Sequence, residues 1–109
     1  MKLHPIEKKS LPIERFSSPL APAVYQKFLK KRKGWEVVDG KKIEKLFVFK
    51  NFVKALEFLQ KIGKIAEEEK HHPDMFLFSY KNVKITLSTH SIGGLSENDF
   101  TVASKIDAL

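Results

Sequence analysis

The chain has 109 residues, a formal net charge of +7 and no cysteine. That length suits one domain, and the lack of cysteine excludes both a disulfide scaffold and a thiolate metal site. No stretch reaches the roughly 18 apolar residues of a membrane span, and MKLHPIEKKS at the N-terminus has no apolar signal core, so a soluble, cytoplasmic protein is expected.

The charge is unevenly spread. Residues 1–33 hold nine basic residues against two acids, Glu7 and Glu14, while residues 34–109 hold 11 of each, so the whole excess lies near the N-terminus. Lys30, Lys31, Arg32 and Lys33 form a run there. Such a run suits nucleic acid or an anionic partner. It suits a solvated helix end better, because cations favour the negative C-terminus of a helix, and nucleic acid is not the expected partner.

Residues 1–18 carry Pro5, Pro12 and a Ser-Ser pair without a sustained period, which predicts an N-terminal arm; residues 19–109 then form the single domain. Pro19 and Pro22 bracket a helix start. Val24, Tyr25, Phe28 and Leu29 follow at helical spacing, and Gly34 can end the helix. Trp35 to Asp39 reads as a short strand, Gly40-Lys41 as a turn and residues 42–50 as a second strand. On that strand Ile43, Phe47 and Phe49 share an apolar face, with Lys45 among them.

Asn51 suits an N-cap. Phe52, Ala55 or Leu56, Leu59, Ile62 and Ala66 then step by three and four, predicting a long amphipathic helix that ends near Lys70, ahead of Pro73. Met75 to Tyr80 reads as a third strand and Lys81-Asn82 as its turn. Val83, Ile85 and Leu87 alternate with polar residues in a fourth, half-buried strand. Gly93-Gly94 breaks the chain. Ser96 with Asp99 forms a capping box for a last helix, whose apolar face is Phe100, Ala103 and Ile106.

This order predicts an α+β fold: a four-stranded antiparallel sheet with three helices packed on one face. Leu46, Val48 and Leu77 are expected toward the other face, which makes oligomerisation across that face or edge an expectation.

The histidines are unusually placed. His71 and His72 fall where the long helix gives way to the third strand, and His90 falls just past the fourth. The third and fourth strands form a hairpin, so the start of one lies beside the end of the other. His90 is thereby brought toward His71 and His72. Glu67, one turn before His71, and Asp99 can reach the same end. Neutral imidazole is a base and imidazolium an acid near neutral pH, so such a cluster can move protons both ways. A neighbouring carboxylate would select the tautomer. Zinc is a rival reading, but adjacent residues in an extended segment point apart, so His71 and His72 make poor joint ligands. Histidines bonding only to loop backbone are another. Asp99 can equally be just a helix cap, Glu67 one more solvated acid, Thr89 a plain strand position and Trp35 a core aromatic.

At these residues the chain resembles the pterin-4a-carbinolamine dehydratases. AEEEKHHPD, an aromatic strand with Tyr80, ITLSTH and GLSENDF carry the resemblance, together with GWEVVDGKKIEKLFVFKNFVKALEFL upstream. It covers residues 34 to about 108. It implies the same fold, assembled as a homodimer or homotetramer, and dehydration of a 4a-hydroxytetrahydropterin to the quinonoid dihydropterin in tetrahydrobiopterin recycling. It implies His71, His72 and His90 as the catalytic histidines. Glu67, Pro73, Thr89 and Asp99 are then substrate-binding. No metal or cofactor is implied, since the pterin is the substrate. Animal members also serve as dimerisation cofactors of a transcription factor, an alternative role, as is nucleic-acid binding through the basic segment. Lys70 replaces a small polar or acidic residue, and Phe100 stands where many members have Trp. The arm and the basic run have no counterpart in the pattern.

Overall fold

The computed structural model describes residues 10–12 and 18–109. Most of the expected arm, residues 1–9 and 13–17, lies outside the described residues. The element order is α1 (Pro22–Lys30), β1 (Glu36–Val38), β2 (Lys42–Val48), α2 (Phe52–Glu69), β3 (Asp74–Phe78), β4 (Asn82–Leu87), a 3₁₀ turn (His90–Ile92) and α3 (Glu97–Asp107). The strands form one antiparallel sheet in the order β1-β2-β4-β3, with the helices on one face, as the periodicities predict.

Pairing fixes which side chains face the helices. Ile43 opposes Leu87, Lys45 opposes Ile85 and Phe47 opposes Val83, so all six share the inner face. Against it pack Ala55, Phe58 and Ile62 of α2 and Phe100, Val102, Ala103 and Ile106 of α3. Fully burying one such branched or aromatic side chain is worth about 1.5–3 kcal/mol. The stripe on α2 runs through Ala55, Phe58, Ile62 and Ala66. Phe52 and Leu56, expected on it, are exposed. Phe58 instead fills the gap, its ring 4.8 Å from Phe47 and 4.7 Å from Phe49.

Three local expectations need correction. Leu77 opposes Val83 and lies on the inner face; the outer face carries Leu46, Val48, Phe76 and Phe78. The two hairpins turn one or two residues earlier than expected, at Asp39-Gly40 and Ser79-Tyr80, all four at positive φ as tight hairpins of this hand require. The basic run starts at the C-terminal end of α1 as expected, with Lys30 in the last turn and Lys31 the C-cap, but Arg32 is not a solvated member of it. Arg32 folds back to donate from Nη1 to Phe28 O and from Nε to Phe100 O, both at 2.8 Å. Its guanidinium also lies over the Phe28 and Phe100 rings. Burial pushes this guanidinium below its ordinary value, while Asp107 and Glu97 pull the other way.

Lys45 tolerates the inner face because Asp107 Oδ1 lies 2.8 Å from its Nζ. Trp35 donates Nε1 to the other oxygen of Asp107 at 2.9 Å, so the tryptophan is a core residue. No helix among the described residues is long and apolar enough to cross a membrane.

Candidate active site

Four elements end at one corner of the domain. α2 stops at Glu69, and Lys70 turns into the left-handed region at φ 53° and ψ 40°. The amide of His71 then bonds back to Ala66 O at 3.1 Å. This reversal sends the two histidines to opposite sides. His71 turns inward and is 6% exposed; the His72 side chain stays outside at 64%. Pro73 follows, half-buried, and leads into β3. The expectation that the pair diverges is met, by a turn at Lys70 as much as by strand alternation.

Inside, His71 Nε2 lies 2.6 Å from Asp99 Oδ1. The other oxygen, Oδ2, accepts from Thr89 Oγ1 and from Ser96 N–H, each at 2.9 Å. Asp99 also completes the capping box of α3 with Ser96. In its ionised form, which a helix N-terminus favours, this carboxylate is acceptor-only at both oxygens. His71 must therefore supply a hydrogen at Nε2, which leaves Nδ1 to exchange a proton with something else. Asp99 is both the helix cap and the partner of a histidine.

Outside, His72 Nε2 lies 2.5 Å from Glu67 Oε2, with both side chains largely exposed. Glu67 lies one helical turn before His71 in sequence, yet it pairs with the neighbouring His72. The left-handed turn at Lys70 removes His71 from that helix face and gives the carboxylate to His72. His90 opens the 3₁₀ turn immediately after Thr89, is exposed, and its ring makes no hydrogen bond or ion pair among the described residues. The loop is closed by backbone bonding of Thr89 to Gly94, with Thr89 N–H to Gly94 O at 2.8 Å. Thr89 is thus bonded to the partner of His71, and His90 follows it at the same end of the sheet.

Thr89 and Asp99 are 1% and 0% exposed, with their oxygens engaged. They stand behind the imidazole of His71 rather than at the surface, whereas Glu67, His72 and His90 are open to an incoming molecule. Ser96, read from the sequence only as a cap, belongs to the same network: its Oγ is 2.7 Å from Thr89 Oγ1. The capping-box spacing was the available signal.

Two further groups brace the corner. Glu69, at the end of α2, takes Lys105 Nζ at 2.8 Å and the Ser10 amide at 2.7 Å. Burial alone would push its carboxyl up, but the Lys105 and Ser10 bonds together outweigh that and hold it below the usual range. Asn98, beside Asp99, grips the Leu11 backbone by both N–H and C=O at 2.7 Å. A separate hollow of about 290 Å³ lies among Gly34, Glu36, Glu44, Lys45, Leu46 and Lys84. None of the histidines lines it, and its Glu44 and Lys45 are already held by Thr86 and Asp107. Among the described residues, no three His, Asp or Glu side chains are grouped to hold a metal ion.

Known proteins share this sequence pattern and fold. The family model described as pterin 4 alpha carbinolamine dehydratase matches residues 18–109. A protein of Alkaliphilus metalliredigens, provisionally named a pterin-4-alpha-carbinolamine dehydratase, is 44% identical over 102 residues, covering 93% of this chain and 91% of its own. Pterin-4-alpha-carbinolamine dehydratase 2, mitochondrial, of Arabidopsis thaliana is 46% identical over 77% of this chain and 46% of its own. The crystal structure of a transcriptional coactivator/pterin dehydratase from Brucella melitensis superposes with a TM-score of 0.78 at 36% identity, over 84% of this chain and 97% of that one. A pterin dehydratase-like RuBisCO assembly factor of the alpha-carboxysome gives 0.58 at 25% identity, over 69% and 87%. With the family model spanning the whole domain that carries the histidine corner, the chain belongs to the pterin 4 alpha carbinolamine dehydratase family.

Proposed function

We propose that this chain dehydrates a 4a-hydroxytetrahydropterin to the quinonoid dihydropterin, in the cytoplasm, as a step of tetrahydrobiopterin recycling. The observation that carries the reading is the pairing of buried His71 with Asp99 beside the exposed His72 and His90.

Dehydration needs two proton movements. A proton is delivered to the 4a-hydroxyl as the C4a–O bond breaks and water leaves. The N5 proton is withdrawn as the C4a–N5 double bond forms. One imidazolium and one imidazole perform these transfers without any net change in protons on the enzyme. His71 and His90 serve as this pair. Asp99 holds the proton of His71 at Nε2, so Nδ1 is the working nitrogen. His72, braced by Glu67, orients the pterin, with Pro73 shaping the floor beneath it. A positioned acid or base contributes typically 10²–10⁴-fold. The test is to generate the 4a-hydroxy compound in situ and follow its loss with wild type, His71→Ala and His90→Ala. A wild type no faster than buffer ends the enzymatic reading; variants equal to wild type end the assignment of these histidines.

We also infer that the chain assembles as a homodimer or homotetramer. Phe52, Val53 and Leu56 stand exposed along α2, and Leu46, Val48 and Phe76 on the outer sheet face. Apolar groups clustered in this way on a small domain favour association. Light scattering after size-exclusion chromatography decides the matter, and a monomer at micromolar concentration ends it.

A further inference from the structure

We infer that Ser96 is a positioning residue for His71, acting through Thr89 and Asp99. The inference deepens the dehydratase reading and rests on it for the catalytic part.

The direction of each hydrogen bond in the network can be worked out. Asp99 Oδ2 can only accept, so Thr89 spends its single hydroxyl hydrogen on it. The 2.7 Å contact between Thr89 Oγ1 and Ser96 Oγ must then be donated by Ser96. The oxygen of Ser96 in turn accepts the Asp99 backbone N–H in the capping box, and the Ser96 backbone N–H returns to Asp99 Oδ2. The two hydroxyl hydrogens point one way, from Ser96 to Thr89 to Asp99, and the remaining oxygen of Asp99 faces His71.

The three supporting residues are at most 1% exposed, so water does not replace a missing member cheaply. Without the Ser96 hydroxyl, Thr89 keeps its bond to Asp99 but loses the donor that sets its rotamer. The carboxylate, still held by the Ser96 N–H, is then less firmly aimed, and the preference of His71 for the Nε2–H form weakens. Ser96 touches neither substrate nor His71, so its effect falls on the turnover step rather than on binding.

Ser96 thus does two jobs with different requirements. The helix cap needs an acceptor or a permissive backbone; the network needs a donor. Glycine separates them, because it caps a helix almost as well as serine and has no hydroxyl. Threonine keeps both functions.

The experiment records the ¹⁵N chemical shifts of the His71 ring, at a pH where the ring is neutral, in wild type, Ser96→Gly, Ser96→Ala and Ser96→Thr. Thermal melts confirm folding. Wild type should show the Nε2–H pattern. Ser96→Gly and Ser96→Ala should move toward a mixture of tautomers, and Ser96→Thr should return toward wild type. In the dehydration assay kcat should fall about tenfold in the first two with KM unchanged, the scale set by losing a group that orients a functional imidazole. A Ser96→Gly protein that keeps the wild-type tautomer and kcat overturns the proposal, leaving Ser96 a cap alone. The tautomer measurement needs no turnover, so it decides the positioning role even if no dehydration is observed in any variant.

Discussion

His71 and Asp99 meet at 2.6 Å in the interior, where a helix cap and a histidine share a carboxylate. The same atom group that starts α3 therefore sets the protonated nitrogen of a proposed proton-transfer residue. Folding and chemistry are coupled at this point, and the two can be separated by substitution.

Asp99→Asn is the cleanest separation. The amide oxygen can still accept from Thr89 and Ser96 and keep the cap, which leaves the NH₂ facing His71 Nε2. Two donors would then confront each other, so the imidazole must move its hydrogen to Nδ1. The protein should fold with a modest loss of stability while kcat drops about a hundredfold or more. Steady-state kinetics beside a thermal melt checks this; full activity in a folded Asp99→Asn protein would remove Asp99 from the mechanism.

Gly94 bears on the other side of the corner. A Cβ built there would lie 2.7 Å from Pro19 Cβ, closer than two carbons can approach. Neighbouring backbone fixes that approach, since Leu20 N–H bonds to Leu95 O at 2.8 Å. Gly94→Ala must push the 89–94 loop or the Pro19 segment aside. Overpacking of this kind costs about 1–3 kcal/mol, and the loop that shifts carries His90. Urea denaturation should show the loss of stability, and the dehydration rate should fall with it. Gly93→Ala offers a contrast, because nothing lies within 4 Å of its Cβ position and only its positive φ is at stake.

These two positions show what could be read from the sequence. The fold followed from periodicity: alternation in β4, three-four spacing in α2 and the Asn51 cap, which accepts the Lys54 amide at 2.9 Å. That His71 and His90 stand at the same end of the sheet was legible because a hairpin places strand ends by pairing alone, Asp74 opposing Thr86. The partners of the histidines were not. Whether Glu67 serves His71 or His72 depends on a left-handed backbone at Lys70, and lysine carries no signal for that conformation. The burial of Asp99 and Thr89 depends on how α3 docks, a tertiary property that local pattern does not encode. The docking of residues 10 and 11 onto Glu69 and Asn98 was equally invisible, since it links positions 59 and 87 apart in sequence.

Lys70 itself makes a stability prediction. A residue with a Cβ pays roughly 1–2 kcal/mol to enter the left-handed region, and glycine does not. Part of that gain returns through the greater freedom of glycine in the unfolded chain. Lys70→Gly should raise stability by about 0.5–1 kcal/mol and preserve the Ala66–His71 bond. The site geometry should survive, so activity should hold. A lower melting temperature would mean that the lysine side chain makes a compensating contact at this turn.

Glu69 supplies the pH dependence. Its carboxyl is held below the ordinary 4.5 because the Lys105 and Ser10 bonds outweigh its burial. A carboxylate with a lowered folded-state value contributes stability that is fully present above the unfolded value. That contribution is lost as the pH falls through the folded one. Glu69→Gln cannot titrate, and it leaves Lys105, 17% exposed, without its counter-charge. At neutral pH the variant should be less stable by about 1–3 kcal/mol. Below pH 4.5 the gap should narrow, as wild type surrenders what the variant never had. Urea midpoints of both proteins measured from pH 7 down to pH 3 test the sign directly, and a gap that stays constant across that range would show that the Glu69 charge does not hold α2 to α3.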